Sequence, residues 1–257
     1  MTSTTRSGAA PTAELSPTGA AGPFTALLHA AQWGAIRAWV DAVPPSILAR
    51  PSTLRGWSID ELLSHLATSV ETIGDLRPAD ERDTEPPLSV LAYLTGYQQR
   101  SALIRQRSTR KAAARTDRGG ELDEAWATAG RTLISLGPDD SPVRAPGGII
   151  RLSDFLLTRL IELVVHGLDL RLSVRALENA GPVVEPLVLP LALRRVAAAL
   201  RALCARKAGA RGGFEDVFDV GSGSDDLHDV RLVLLATGRD ADRAEVSSTL
   251  RAVLPLF

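Results

Sequence analysis

The spacing of apolar residues over the first 180 positions is typical of amphipathic helices separated by loops that carry proline and glycine. The segment 58–76, SIDELLSHLATSVETIGDL, opens with a capping box in which Ser58 and Glu61 satisfy each other's backbone amides. The same kind of spacing predicts helices over residues 24–43, 88–110, 121–136 and 153–176. The four main segments, leaving out the short helix at 121–136, predict an up-down four-helix bundle, an architecture in which sites form between facing helices.

The pattern changes beyond residue 180, where dense Val and Leu runs follow a helix expected over about 187–207. FEDVFDV and HDVRLVLLATG are typical of strands, GSGSDD between them is typical of a hairpin turn, and a last helix is expected from residue 240. The sequence therefore predicts an α+β protein, with a helical bundle at 23–180 and a small α+β domain at 183–257. Residues 1–22, rich in Ser, Thr, Gly, Ala and Pro, are expected to form a disordered leader.

The helix predicted over 153–176 carries four ionisable residues among leucines and valines: Arg159, Glu162, His166 and Asp169. At about 100° per residue, these four side chains fall within an arc of roughly 80°. Apolar residues occupy the rest of the circumference, whereas a surface helix has a wide polar face. We therefore expect this helix to be packed on most sides, with its polar stripe facing an interior crevice.

Buried charges must be paired or must bind a metal, because an unpaired buried charge costs several kcal/mol. Glu162 and His166 are four residues apart, so a carboxylate oxygen and an imidazole nitrogen of one helix face can share a divalent ion. The alternative is an internal charge network in which Arg159 pairs with Glu162 and His166 bonds to Asp169. The spacing alone does not choose between these two hypotheses.

A third ligand would favour the metal site, and the chain has four histidines. His65 lies on the flank of the 58–76 helix, next to serines and threonines, and so borders a polar cleft. His29 is expected at the edge of the bundle, and His228 at the exposed start of a strand. His65 is therefore the candidate to join Glu162 and His166, and a histidine at the solvent edge of the bundle is the equal alternative.

Composition narrows the class of protein. The formal net charge of −1 gives no general attraction to nucleic acid or to an anionic membrane surface, and we expect neither as a partner. No apolar run approaches the length of a membrane span, and a cytoplasmic protein is the simplest interpretation. Cys204 is the single cysteine, which excludes an intrachain disulfide and a cysteine-rich zinc site. Of 29 basic residues, all but Lys111 and Lys207 are arginine, as expected of a GC-rich genome.

Two motifs carry a resemblance to a known family. GWSIDELLSHLA, residues 56–67, resembles the G-W-[ST]…L-L-x-H-L motif of DinB-like helical bundles. RLIELVVHGLDL, residues 159–170, is similar to the R-x-x-E-x-x-x-H-x-x-D signature of mycothiol-dependent maleylpyruvate isomerase-like proteins. The two motifs occur in the order and separation that this family shows, and a small C-terminal domain follows them.

The resemblance implies a divalent metal, usually zinc, held by His65, Glu162 and His166, with one coordination position left open as in catalytic sites. Arg159 and Asp169 are then candidate catalytic-site residues that orient the ligands and balance their charge. The resemblance also implies mycothiol as the thiol cosubstrate. An actinobacterial host of that thiol agrees with the arginine-rich composition.

These inferences predict a metal-dependent, mycothiol-using enzyme that acts on an electrophilic small molecule. Thiol S-transfer is preferred, because a maleylpyruvate-type cis–trans isomerase, the alternative, serves one narrow catabolic pathway. Arg239 lies where members of this family often carry a glycine–arginine pair after a strand. The resemblance thus makes Arg239 a third candidate catalytic residue, reaching over the cleft toward substrate carboxylates, and a surface arginine is the equal alternative. A non-catalytic, metal-stabilised bundle with a structural or binding role is the alternative from another class. We expect a monomer or a homodimer.

Overall fold

The computed structural model describes residues 21–80, 82–98, 101–114, 117–177, 184–207, 226–239 and 254–256. These residues are mostly helical, with one small three-stranded antiparallel sheet. The helices are α1 (Ala21–Ala42), α2 (Pro45–Leu48), α3 (Ile59–Gly74), α4 (Val90–Gln98), α5 (Ser101–Ala114), α6 (Arg118–Leu136), α7 (Leu152–Arg175), α8 (Pro190–Lys207) and α9 (Asp226–Ala236). The strands are β1 (Arg77–Pro78), β2 (Pro142–Ala145) and β3 (Gly148–Arg151), in the order β1-β2-β3.

The capping box predicted at the start of α3 is confirmed. The Ser58 hydroxyl accepts the Glu61 amide at 3.1 Å, and the Glu61 carboxylate accepts the Ser58 amide at 2.7 Å. The two bonds satisfy amides that a helix start leaves without intrahelical partners. They fix the residue at which α3 begins, and with it the direction of every side chain on that helix.

Helix α7 lies between two apolar cores, which explains why every residue from Phe155 to Leu170 is buried. On one side, α1, α3 and α6 pack with α7, and on the other α8 and α9 pack against it. The first core contains Ile36, Leu62, Leu66, Leu122, Phe155 and Leu163, and the second contains Leu160, Val164, Leu168, Val196, Leu200 and Val233. The expectation that this helix is packed on most sides is therefore confirmed.

The small sheet was not predicted. β2 pairs with β3 in antiparallel register, with Val143 opposite Ile150 and Arg144 opposite Ile149, and β1 adds to the outer edge of β2. The two strands are joined by a turn at residues 146–147, and Gly148, with φ of 128°, adopts a conformation that residues with a side chain rarely take. The hairpin leads directly into α7, because β3 ends at Arg151 and α7 begins at Leu152.

The strand predicted over HDVRLVLLATG is wrong, because residues 226–236 form helix α9. The buried positions Asp229, Leu232, Val233 and Ala236 follow the i, i+3, i+4, i+7 spacing of a helix face. A dense run of Val and Leu had hidden that period, since short apolar runs do not distinguish strand from helix. The FEDVFDV strand, most of the GSGSDD turn and nearly all of the last helix lie outside the described residues.

Other boundaries also differ from those expected. The helix expected over 88–110 is described as two helices, α4 and α5, with residues 99–100 outside the described part. Residues 1–20, most of the expected leader, are outside it as well. None of the described helices combines the length and the apolarity that crossing a bilayer requires.

His29 is buried, with 1% of its surface exposed, so its expected position at the edge of the bundle is wrong. Its ring stacks on that of Trp126 at 5.7 Å between centroids, and neither ring nitrogen has a hydrogen-bond partner among the described residues. Burial, assisted by the charge of Arg159, lowers the pKa of His29 from 6.5 to about 3. The residue is therefore a neutral imidazole in the folded protein at neutral pH.

We predict that His29→Leu reduces the loss of stability in acid. Below pH 6.5 the unfolded chain protonates His29 while the folded chain does not until about pH 3, so wild-type stability falls across that interval. The slope due to this residue is at most about 1.4 kcal/mol per pH unit. Chemical denaturation of both proteins between pH 7 and pH 4 measures it. Trp33→Leu, another buried change on α1, should shift stability by the same amount at every pH, and parallel curves for His29→Leu would contradict the prediction.

Candidate functional site

Helices α3 and α7 bring three candidate ligands together. His65 Nε2 lies 3.1 Å from Glu162 Oε2, and His166 Nε2 lies 3.4 Å from the same oxygen. The three ligand atoms all lie within 4.8 Å of one another, and the side chains are nearly buried, at 5%, 9% and 9% exposure. The structure thus joins the residues that the sequence had singled out on two separate segments.

Asp169 fixes the orientation of His166. Asp169 Oδ2 lies 2.8 Å from His166 Nδ1, one helical turn away on α7. The His166 imidazole lowers the pKa of Asp169 despite the opposing effect of burial, so this carboxylate is ionised and can only accept. His166 Nδ1 therefore carries a proton, and Nε2 is the nitrogen that faces Glu162 and His65.

Arg239 contacts Asp169. Its Nε donates to Asp169 Oδ1 at 2.8 Å and to Oδ2 at 2.9 Å, and its Nη1 donates to the backbone oxygen of Thr237. Arg239 follows α9, so a segment from the end of the chain reaches the polar stripe of α7. The structure thus connects Arg239, Asp169 and His166 in one line of charge-assisted hydrogen bonds.

Arg159 lies deeper, with no exposed surface. Its Nη1 donates to the Ser69 hydroxyl at 3.1 Å, its Nε lies 3.2 Å from Thr158 Oγ1, and its guanidinium lies over the Phe155 ring. The residue therefore connects α7 to α3 one turn away from the ligand cluster. The charge-network hypothesis assigned the Glu162 carboxylate to Arg159, but in the structure Glu162 contacts both histidines.

The two histidines differ in their electrostatic environment. Burial lowers the pKa of His65, and the opposing hydrogen bond to Glu162 does not offset it. For His166, burial also lowers the pKa, but hydrogen bonds to Asp169 and Glu162 outweigh it and the pKa is raised above 6.5. Contacts with both imidazoles hold the pKa of Glu162 well below 4.5 against the effect of its own burial. The cluster therefore contains an ionised carboxylate, a neutral imidazole and an imidazole that readily holds a proton.

Sequence analysis missed a second buried network, beside the site. Arg118 Nε donates to Asp60 Oδ1 at 2.7 Å, Arg118 also pairs with Glu121, and Lys111 Nζ lies 3.2 Å from Glu121 Oε1. This network fixes α3 against α5 and α6 through Asp60 and Ser64, and Ser64, which accepts from Arg118, directly precedes His65 in sequence. The three-residue spacing of Arg118 and Glu121 was a visible signal, but nothing in the sequence showed which residues of α3 and α5 would complete the network.

Sequence analysis also missed two contacts from the loop before α3. Trp57 packs against the ring of His65, and Thr53 hydrogen-bonds to the backbone of Asp169. The GW pair drew attention to Trp57 only as the residue before the helix cap. Thr53 gave no signal, because its partner lies 116 residues away.

The fold and the site define a helical protein with a buried cluster of two imidazoles and one carboxylate. The model of the mycothiol maleylpyruvate isomerase N-terminal domain family matches residues 29–171, which is more than half of the chain and includes α3 and nearly all of α7. No curated protein and no solved structure gives a match. The chain belongs to the mycothiol maleylpyruvate isomerase N-terminal domain family, and the resemblance found in the sequence is confirmed.

We predict that Asp169→Asn lowers the pKa of His166 in protein freed of metal by a chelator. Burial lowers this pKa and Asp169 supplies the largest contribution that raises it, so loss of the Asp169 charge leaves only Glu162 to oppose the effect of burial. In the wild type the raised pKa adds stability below the ordinary pKa of 6.5, and this is lost as the pH rises through the folded-state value. NMR titration of the imidazole protons measures the shift, with the His29 resonance as an internal control. A His166 pKa that stays the same or rises would refute the assignment of its cause.

Proposed function

We propose that His65, Glu162 and His166 hold one divalent metal ion, with zinc as the best match. Zinc binds imidazole nitrogen and carboxylate oxygen at about 2.0–2.2 Å, so tetrahedral ligand atoms stand about 3.4 Å apart. The separations of 3.1 and 3.4 Å from Glu162 Oε2 agree with that spacing before any rearrangement. The convergence of these three donor atoms in a buried site is the single observation that carries the proposal.

Three protein ligands leave a zinc ion with an open position, at which a bound thiol loses its proton near neutral pH. The chain's own thiol does not serve, because Cys204 is buried and burial raises its pKa to about 11. An external thiol is therefore required. Membership in a family named for a mycothiol maleylpyruvate isomerase favours mycothiol.

The other polar residues of the site are proposed to position the ligands. Asp169 holds the Nδ1 proton of His166 and so keeps the Nε2 lone pair available to the metal. The contact of Arg239 with Asp169 favours a positioning role over direct contact with a substrate carboxylate. Arg159 supplies a buried positive charge that acts on His65, and it holds α7 to α3 through Ser69. Burial of Asp169 and Arg159 limits the access of water to the centre.

We propose thiol S-transfer to an electrophilic small molecule as the reaction. In S-transfer to an unsaturated acid, the thiolate sulfur bonds to the β-carbon, the π electrons move to the α-carbon, and that carbon takes a proton. The maleylpyruvate-type isomerase is the second candidate, in which the sulfur leaves again after rotation about the carbon–carbon bond. The family's description favours the isomerase. S-transfer is favoured because maleylpyruvate, the substrate of that isomerase, belongs to one narrow catabolic pathway.

We also propose that α1, α3, α6 and α7 form a DinB-like up-down bundle around this centre. Contacts of α3 with α6 and α7, and of α1 with α6 and α7, support this arrangement. The residues that these four helices share in one apolar core support it further.

We predict that the purified protein holds about one divalent ion per chain, and that His65→Ala, Glu162→Ala and His166→Ala each weaken binding. Each loss should exceed the roughly 10- to 100-fold that removal of an outer-shell partner costs. Metal analysis after equilibration against a competing chelator measures the affinity. His29→Leu, which removes a buried histidine away from the cluster, should bind as tightly as the wild type. Full occupancy by metal in all three ligand variants would refute the proposed metal site.

We predict that mass spectrometry of mycothiol, an electrophile panel and the metal-loaded protein reveals a new thiol conjugate. A conjugate whose mass is the sum of both reactants indicates S-transfer addition, and the sum less a leaving group indicates substitution. A rearranged substrate of unchanged mass with mycothiol recovered indicates isomerisation. His166→Ala should abolish either activity, since it removes a ligand. If the protein binds metal yet neither product exceeds the protein-free rate, the non-catalytic alternative is correct.

A further inference from the structure

The loop of residues 51–58, called here the 51–58 loop, is tightly closed on itself just before α3. Pro51 and Ser58 form an antiparallel bridge, and the Ser52 amide donates to the Trp57 oxygen at 2.8 Å. Gly56, with φ of 79°, makes the turn and accepts a hydrogen bond from Arg105 of α5 at 2.8 Å. The pairing of its two ends and the hydrogen bond from Arg105 to its turn give the 51–58 loop a defined shape.

One side of the 51–58 loop is fixed to α7 at the residue that holds His166. The Thr53 hydroxyl donates to the backbone oxygen of Asp169 at 3.2 Å. The Ser173 hydroxyl accepts the Thr53 amide at 2.8 Å and donates to the same Asp169 oxygen at 2.6 Å. The backbone of Asp169 is thus held from the loop, while its side chain holds His166 Nδ1.

The other contact of the 51–58 loop is with His65. The rings of Trp57 and His65 lie 5.6 Å apart between centroids and nearly perpendicular, at 81°. His65 Nδ1 is buried and has no hydrogen-bond partner among the described residues. A metal-binding histidine ordinarily donates its second N–H to an acceptor that fixes the ring. For His65, the perpendicular packing of the Trp57 ring takes the place of such an acceptor in fixing the orientation of the imidazole.

We propose that the 51–58 loop is the positioning element of both imidazoles in the metal centre, with Trp57 acting on His65 and Thr53 acting on His166 through Asp169. This inference rests on the metal site proposed above. The loop carries no metal-ligand atom of its own in that site. It aligns one histidine of α3 with one of α7, so that two helices joined by a long stretch of chain present their nitrogens at one point.

The test uses paired substitutions in the full chain. Thr53→Val removes the hydroxyl and Thr53→Ser retains it, while Trp57→Leu removes the aromatic ring and Trp57→Phe retains one. We expect Thr53→Val and Trp57→Leu each to weaken zinc affinity by roughly 10- to 100-fold, with the conservative partner of each close to the wild type. Competition with a chromophoric chelator measures the affinity, and thermal unfolding in chelator measures stability separately.

Two control substitutions remove the same kinds of group, a hydroxyl and an indole, at positions away from the proposed metal centre. Thr132→Val removes a hydroxyl that donates to the Gly74 oxygen at 3.2 Å, the same distance as for Thr53. Trp126→Leu removes a partly buried indole that packs on His29 rather than on His65. Both controls should lower the melting temperature in chelator and leave zinc affinity unchanged. A merely structural role of Thr53 and Trp57 would give that same pattern.

The outcomes separate this inference from the metal site itself. If the wild type does not bind zinc, the proposed function fails and this inference fails with it. If the wild type binds zinc and Thr53→Val and Trp57→Leu bind as tightly, only the role of the loop is wrong. Should Thr53→Val not fold, Ser173→Ala removes the other half of the anchor, the hydroxyl bonded to the Thr53 amide and to the Asp169 oxygen. Because the direct bond from Thr53 to Asp169 remains, we expect a smaller loss of zinc affinity, and wild-type affinity in that variant would overturn the role of this anchor.

Discussion

The structure depends on the burial of four ionisable groups along one face of α7. Every residue from Phe155 to Leu170 is buried, so Arg159, Glu162, His166 and Asp169 have little access to water. Removing a charge from water costs several kcal/mol unless partners replace the lost hydration. The neighbouring segments therefore have to supply partners, and α3, the 51–58 loop and the segment after α9 each reach this face.

The partners are not distributed evenly along the stripe. Asp169 is held by a cation and an imidazole, whereas Glu162 has two imidazoles around one oxygen. A closed charge network would be expected to satisfy a buried carboxylate with hydrogen-bond donors of fixed geometry. Two imidazole nitrogens and a carboxylate oxygen that converge on one point instead make the donor set of a three-ligand metal site. This asymmetry supports the metal site that we propose over the charge network.

Sequence analysis succeeded where the position of a side chain depends on regular spacing. The 3.6-residue period placed Glu162 and His166 on one face of a helix and His65 beside a polar cleft, and the structure brings the three together. The family resemblance, rather than the spacing, implied that these three act as one ligand set, and both motifs lie in the span that the family model matches. The local period was sufficient to place each residue on its helix, because each helix begins and ends through interactions within a few residues.

Sequence analysis failed where a residue's hydrogen-bond partner is distant in the chain, or where a run of apolar residues conceals the period of a helix. Thr53 and Arg239 reach Asp169 across 116 and 70 residues, and no local pattern encodes such contacts. His29 was expected at the edge because the sequence showed no partner for it, although it packs on Trp126 with no exposed nitrogen. The His228–Gly238 segment was predicted as a strand, because the composition of a buried helix resembles that of a buried strand.

The most direct test of the central claim is thermal unfolding of the wild type and Glu162→Ala, each with chelator and with zinc. A ligand that binds only the folded state raises stability, so a metal site predicts a difference between the two proteins that grows when zinc is added. A purely electrostatic stripe predicts that Glu162→Ala loses roughly 3–5 kcal/mol by leaving buried positive groups unpaired, whether or not zinc is present. A gap that widens with zinc supports the metal centre, and an equal gap under both conditions would contradict it.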